Sequence, residues 1–212
     1  MAAMATVAVF DKYWGRYDEW YSRNRVIALN ELRTVRSIGL RGLGLEVGVG
    51  TGWFASRLGV GFGVDPSINM LRVAWRRGVE AVQAVGERLP FRSGVFDYVL
   101  LIVTLCFVDD PWRVVGESAR VLKRGGRLVA CIVPRDSPWG RYYEARRETS
   151  PFYRVARFYT VGEVESMMTG AGLVVEGHYS TLHFNPGEEP RLEEPRPGAS
   201  GGFVCIYALK PG

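Results

Sequence analysis

The sequence is poor in the residues that build metal and redox sites. It holds two histidines, His178 and His183, and three cysteines, Cys106, Cys131 and Cys205, in 212 residues. No two cysteines form a CxxC pair and no acidic cluster accompanies the histidines, so no metal centre is expected. Each cysteine lies in an apolar stretch (TLCFV, VACIV, FVCIY), which reads as a buried, reduced thiol on a strand. Lysine is scarce too: Lys12, Lys123 and Lys210 are the only ones, so arginine carries the net charge of +5. The arginines are scattered, with small groups at Arg72, Arg76, Arg77 and at Arg141, Arg146, Arg147. Scatter of that kind argues for a solvated surface and against a nucleic-acid partner. No apolar run reaches the roughly 18–20 residues that cross a bilayer. No basic segment precedes the short apolar stretch near the start, so no signal peptide is read. A cytoplasmic protein without a membrane partner is expected.

What is present is an apolar fraction of 47%, ample for one buried core. A single domain over residues 1–212 is expected. Residues 11–36 read as a helical arm, since Tyr13, Tyr17, Trp20 and Tyr21 recur at three- and four-residue spacing. Short apolar runs at 42–47, 59–64, 79–85, 96–108 and 127–133 read as strands, with helices between them. Asp109-Asp110-Pro111 is a helix start and Gly125-Gly126 a stop. Residues 134–159 break the alternation with seven aromatic side chains among arginines, and read as an insertion over a cleft. Thr160 and Glu163 have capping-box spacing for a last helix. Two strands, 173–182 and 203–209, flank a proline- and glycine-rich loop. The pattern predicts an α/β fold: a Rossmann-like, seven-stranded, mostly parallel sheet with one antiparallel strand at or near its edge, and helices on both faces.

The chemistry concentrates in Glu46-Val47-Gly48-Val49-Gly50-Thr51-Gly52, directly after a strand. Bare glycines let the chain turn tightly and let a ligand approach the backbone. The following helix start directs free N–H groups at a carboxylate or phosphate. Asp65 closes the next strand, where a carboxylate accepts hydrogen bonds from both hydroxyls of a ribose. Two details separate this turn from a dinucleotide site. Trp53 stands where the third glycine of GxGxxG belongs. Glu46 would repel a pyrophosphate but binds an ammonium group.

With these features the sequence resembles the class I S-adenosylmethionine (SAM)-dependent methyltransferases, in their small-molecule (methyltransferase type 11-like) branch. LEVGVGTG is similar to their first motif and GVDPSINML to their second. VGERLPFRSGVFDYV, LIVTLCFVDDP and RVLKRGGRLVACIV continue the match, so that it spans roughly residues 40–133. The resemblance implies SAM as cofactor and S-adenosylhomocysteine (SAH) as product. It implies cofactor contacts from Glu46, Gly48, Val49, Gly50, Gly52, Asp65 and Pro66, with Met70 under the adenine. Gly86, Glu87 and Arg88 would lie near the adenine, and Val103 and Thr104 near the transferred methyl. From the arm, Tyr13, Tyr17 and Tyr21 are the choices for reaching SAM. The sequence departs from the family in having Val85 where an aspartate is common. It also has Val103-Thr104-Leu105 where a histidine often ends the fourth strand, which leaves no obvious base.

The expected reaction is direct in-line methyl transfer to a small-molecule acceptor, with alignment and water exclusion as the protein's tasks. His178 and His183 are candidate bases, although a lone strand histidine is more often structural. Cys106 lacks the preceding proline of a cytosine-C5 nucleophile. The aromatic arm and 134–159 would form a lid, with Arg157, Phe158 and Tyr159 toward the acceptor. Three other readings compete. One is a methyltransferase acting on RNA or protein, one a non-catalytic SAM-binding module, and one a NAD-dependent oxidoreductase.

Overall fold

The computed structural model describes residues 2–212. Two helices open it, α1 (Ala2–Arg23) and α2 (Arg25–Arg36). Helical structure thus begins well before residue 11, and Asn24 (φ −112°, ψ 42°) divides the expected arm in two. Alternating strands and helices follow: β1 (Gly44–Val47), α3 (Trp53–Leu58), β2 (Phe62–Asp65), α4 (Ile68–Arg76), β3 (Glu80–Gln83) and β4 (Phe96–Ile102). Then come α5 (Pro111–Val121), β5 (Leu122–Ile132), α6 (Pro138–Glu144), α7 (Pro151–Val155) and α8 (Val161–Gly170). Strands β6 (Val174–Thr181), β7 (Arg196–Pro197) and β8 (Phe203–Leu209) end the chain.

The strands form one sheet in the order β3-β2-β1-β4-β5-β8-β6-β7. The first five are parallel to one another. β8 runs antiparallel between β5 and β6. The antiparallel strand is therefore inserted beside β5, near the edge of the sheet as expected. The eighth strand, β7, is a two-residue pairing with β6 inside the proline-rich loop, too short to show a period in sequence.

Successive β4 residues face opposite sides, so the sheet divides two cores. Tyr98, Leu100 and Ile102 pack with α2 and α3 on one side. Val99 and Leu101 pack with α5 and α8 on the other. The α8 capping box forms as its sequence predicts, with Thr160 and Glu163 each bonding the other's backbone.

Two expectations require correction. The apolar run 96–108 is not one strand. β4 stops at Ile102, and Val103 adopts φ +52°, a costly conformation for a β-branched residue. Its N–H donates to the Cys131 carbonyl while the chain turns out of the sheet into a short 3₁₀ turn at Leu105–Phe107. The apolar character of 105–108 thus serves a packed turn. The reduced-thiol reading also fails for two cysteines. The β5–β8 register sets Cys131 opposite Cys205, with Cα atoms 3.9 Å apart, and the pair forms a disulfide. A pairing across 74 residues of sequence leaves no local signature.

Candidate functional site

In the strand order 3-2-1-4-5, β1 and β4 lie side by side while their connections leave in opposite directions. The crevice at their carboxyl ends is where open α/β sheets bind ligands. Here it is lined by Gly48, Gly50, Asp65, Pro66, Met70, Gly86, Glu87, Val103, Thr104 and Tyr17, all expected from the sequence.

The β1–α3 turn requires its glycines. Gly48 has φ +75°, and a Cβ there would stand 2.5 Å from the Thr104 side chain. Thr104 in turn donates from Oγ1 to the Val47 carbonyl at 2.9 Å, binding the end of β4 to the end of β1. Gly52 (φ +72°) caps α3 against Ala74. Asp65 is oriented by two backbone donors, Gly50 N–H to Oδ2 and Ser67 N–H to Oδ1, each at 2.9 Å. Burial pushes its carboxyl up to about 6, against the lowering pull of those two N–H groups. Each oxygen keeps a lone pair for a further donor.

Glu46 lies under the turn and is not one of the residues that line the crevice. It is 2% exposed, and burial raises its carboxyl to about 8. The Ala55 backbone bonds it, yet Oε2 is buried with no partner. An orphaned buried carboxylate oxygen costs a few kcal/mol unless a donor reaches it. The ammonium of SAM is such a donor, and Asp65 presents free lone pairs to a ribose. The residues present fit SAM.

Other expected residues fall elsewhere. Val49 is buried against Gly63. Arg88 is exposed and outside the crevice. Glu87 lines the crevice, but its Oε1 accepts from the backbone N–H of Asp109 and Asp110 at 3.0 and 3.3 Å, which commits it to shaping the β4–α5 loop. Of the arm tyrosines only Tyr17 lines the crevice. Tyr21 stacks on Trp53 at 4.5 Å and donates to the Tyr17 hydroxyl at 3.0 Å. Tyr13 meets Phe152 edge-on. Phe10, which sequence reasoning passed over, lines the crevice and contacts Tyr17 and Phe107. Its signal was available, since it precedes Tyr13 and Tyr17 at helical spacing.

Two acidic groups fasten α1 over the crevice. Asp11 accepts from Ser67 Oγ (2.7 Å) and Asn69 N–H (3.1 Å) at the start of α4. Asp18 holds Arg77 through two bonds of 2.7 and 2.9 Å.

A second cavity of about 310 Å³ adjoins the first. Tyr17, Ile102, Val103 and Phe107 belong to both walls. α1 and the segment 143–158 supply Trp20, Tyr21, Tyr143, Phe152, Tyr153 and Phe158, and α2 supplies Glu31. Phe158 thus lines this second cavity. Tyr159 packs into the core on the other face, and Arg157 is exposed with its guanidinium 5.3 Å from the Tyr159 ring centre. Neither histidine borders either cavity. His178 pairs with Glu165 (2.7 Å) and His183 with Glu193 (3.0 Å), so both are structural. Burial raises the Cys106 thiol, which removes it as a nucleophile at neutral pH.

A glycine-cradled crevice with a buried aspartate, at the switch point of a Rossmann-like sheet, defines a ligand-binding α/β protein. Comparison with known proteins carries this further. The family described as methyltransferase domain matches residues 45–130. A SAM-dependent methyltransferase of Thermotoga maritima, described as a possible histamine N-methyltransferase, is 38% identical, with a TM-score of 0.93 covering 97% of this chain and 99% of that one. An uncharacterized protein of Methanocaldococcus jannaschii is 37% identical, covering 95% of this chain and 98% of its own. A demethylmenaquinone methyltransferase of Thermobifida fusca is 36% identical across 58% of this chain and 59% of its own. The chain belongs to the class I SAM-dependent methyltransferases; it is an enzyme and SAM is its cofactor. No helix among the described residues is long and apolar enough to cross a membrane.

Proposed function

We propose that this methyltransferase acts on a small organic molecule held in the aromatic cavity beside the SAM crevice. The carrying observation is the wall that the two cavities share at Tyr17, Ile102, Val103 and Phe107. A volume of about 310 Å³ suits a compact metabolite. A folded RNA or a protein surface is far larger, and only an extruded base or side chain would enter. The acceptors named for the relatives, a possible histamine in one and demethylmenaquinone in another, are also small organic molecules.

In this reading Glu46 accepts from the amino-acid ammonium of SAM, and Asp65 from the ribose hydroxyls. Gly48, Gly50 and Gly52 keep the backbone bare, Pro66 and Met70 support the adenine, and Gly86 borders it. SAM supplies a methyl group already activated on a sulfonium, so the chain needs only to align and dehydrate the reactants. Val103 sits at the junction, its unusual backbone held by the β5 hydrogen bond, and presents an apolar surface to the reacting centre. α1 and residues 134–159 act as the lid, with Asp11 and Asp18 as its fastenings. The whole of 1–212 works as one catalytic domain.

The test uses SAM carrying a tritiated methyl and fractionated cell extract. Label should appear in molecules below about 1 kDa, a mass that a cavity of a few hundred Å³ admits. Label confined to RNA or protein would refute the reading, and SAM binding without transfer to any fraction would favour a non-catalytic module.

A further inference from the structure

The aromatic cavity contains one feature that methyl transfer itself does not require. Among its lining residues Glu31 is the only acidic one. It lies on the apolar face of α2, next to Ala28 and Leu32, and is 5% exposed. Among the described residues it has no hydrogen-bond or ion-pair partner, and burial alone raises its carboxyl, to about 8. The hydroxyl-bearing rings of Tyr17, Tyr21, Tyr143 and Tyr153 are its electrostatic neighbours. The cavity's basic residues do not neutralise it. Arg146 lies over the Tyr142 ring at 3.5 Å, and Arg16 is exposed on α1.

A buried carboxyl without a partner is costly and offers nothing to the stability of α2. It becomes favourable once a cation enters, because charge and counter-charge are then buried together. Aromatic faces add to that preference, since their electron-rich surfaces attract cations. We propose, building on the acceptor site assigned above, that the acceptor is a small amine. Its cationic nitrogen, which carries no lone pair and so serves recognition and not methyl acceptance, is held by the Glu31 carboxylate inside the ring of Tyr17, Trp20, Tyr21, Tyr143 and Tyr153. Glu31 is then a specificity residue. A cation draws the proton off the buried carboxyl and gains an ion pair, whereas an uncharged analogue of the same shape gains none and an anionic one cannot be paired by it.

The experiment is calorimetric titration of the SAH-saturated protein with phenethylamine, tyramine and histamine, and with 2-phenylethanol and phenylacetate as uncharged and anionic controls. At least one amine binds and neither control does. Glu31→Gln weakens that amine by about tenfold or more, the scale of a charge-assisted hydrogen bond, and leaves SAH affinity unchanged. Glu31→Asp, which retains the charge, recovers part of the loss. The proposal is overturned if 2-phenylethanol binds as tightly as the amine, if Glu31→Gln binds the amine like the parent, or if all three amines are silent on protein that binds SAH. A parent protein that fails to bind SAH brings down the underlying assignment instead, and this proposal with it.

Discussion

If Glu46 receives the amino-acid ammonium as proposed, SAH binding should release a proton. Burial pushes the Glu46 carboxyl up to about 8, so without a cationic partner it is about nine-tenths protonated at pH 7. An ammonium group at Oε2 favours the carboxylate and draws the group back toward its ordinary 4.5. Binding at pH 7 should therefore release roughly 0.9 proton. Calorimetry in buffers of different ionisation enthalpy reads this number directly. Glu46→Gln should abolish the release and weaken SAH by about 10- to 150-fold, the range for a hydrogen bond to a charged group. Its effect on stability without added SAH should have the opposite sign. A carboxyl raised on folding loses stability as pH climbs from about 4.5 to about 8, and the penalty persists above that. At pH 9 the upper bound is on the order of 5 kcal/mol, at about 1.4 kcal/mol per pH unit. Glu46→Gln should therefore raise Tm at pH 9 and do little at pH 4. Binding enthalpies independent of buffer, or a variant that binds SAH like the parent, would refute the reasoning.

Other outcomes follow from the same geometry. Gly48→Ala forces a Cβ to within 2.5 Å of Thr104 at a left-handed φ, so it should cost about 2 kcal/mol or more and lose most SAH affinity; unchanged melting and binding would contradict the cradle. Asp65→Ala strands the Gly50 and Ser67 donors, at about 1–3 kcal/mol for each unmet group, and should abolish detectable SAH binding. Reducing Cys131–Cys205 reopens a loop of 74 residues, worth about 4 kcal/mol in chain entropy. A fall in Tm of roughly 8–16 °C on reduction is expected for a chain of this size, and no fall would show the bond to be idle.

The crevice was the most legible part of the sequence because its chemistry is local. A glycine turn, the carboxylate before it and the aspartate ending the next strand lie within twenty or so residues, and hydrophobic runs placed the strands around them. What remained hidden depends on long-range geometry. The 96–108 run gives no sign that Val103 turns away, since that turn is imposed by the β5 carbonyl and by Thr104 reaching Val47. The disulfide exists because of a register between strands far apart in sequence. The histidines resembled bases until their partners Glu165 and Glu193 were in view. Glu31 was legible in principle: it follows Ile27 by four residues and so occupies the apolar face of its helix. The arm tyrosines illustrate the limit of periodicity, which gave the shared face but not which ring reaches the crevice.

In the proposed site SAM lies across the Gly48–Gly52 turn with its amino acid at Glu46 and its ribose at Asp65. A crystal structure of the protein grown with SAH tests it most directly. The SAH nitrogen should lie about 3 Å from Glu46 Oε2 or be joined to it by one water, with both ribose hydroxyls within about 3 Å of Asp65. SAH bound elsewhere, or in this crevice with its amino acid directed away from Glu46, would contradict it.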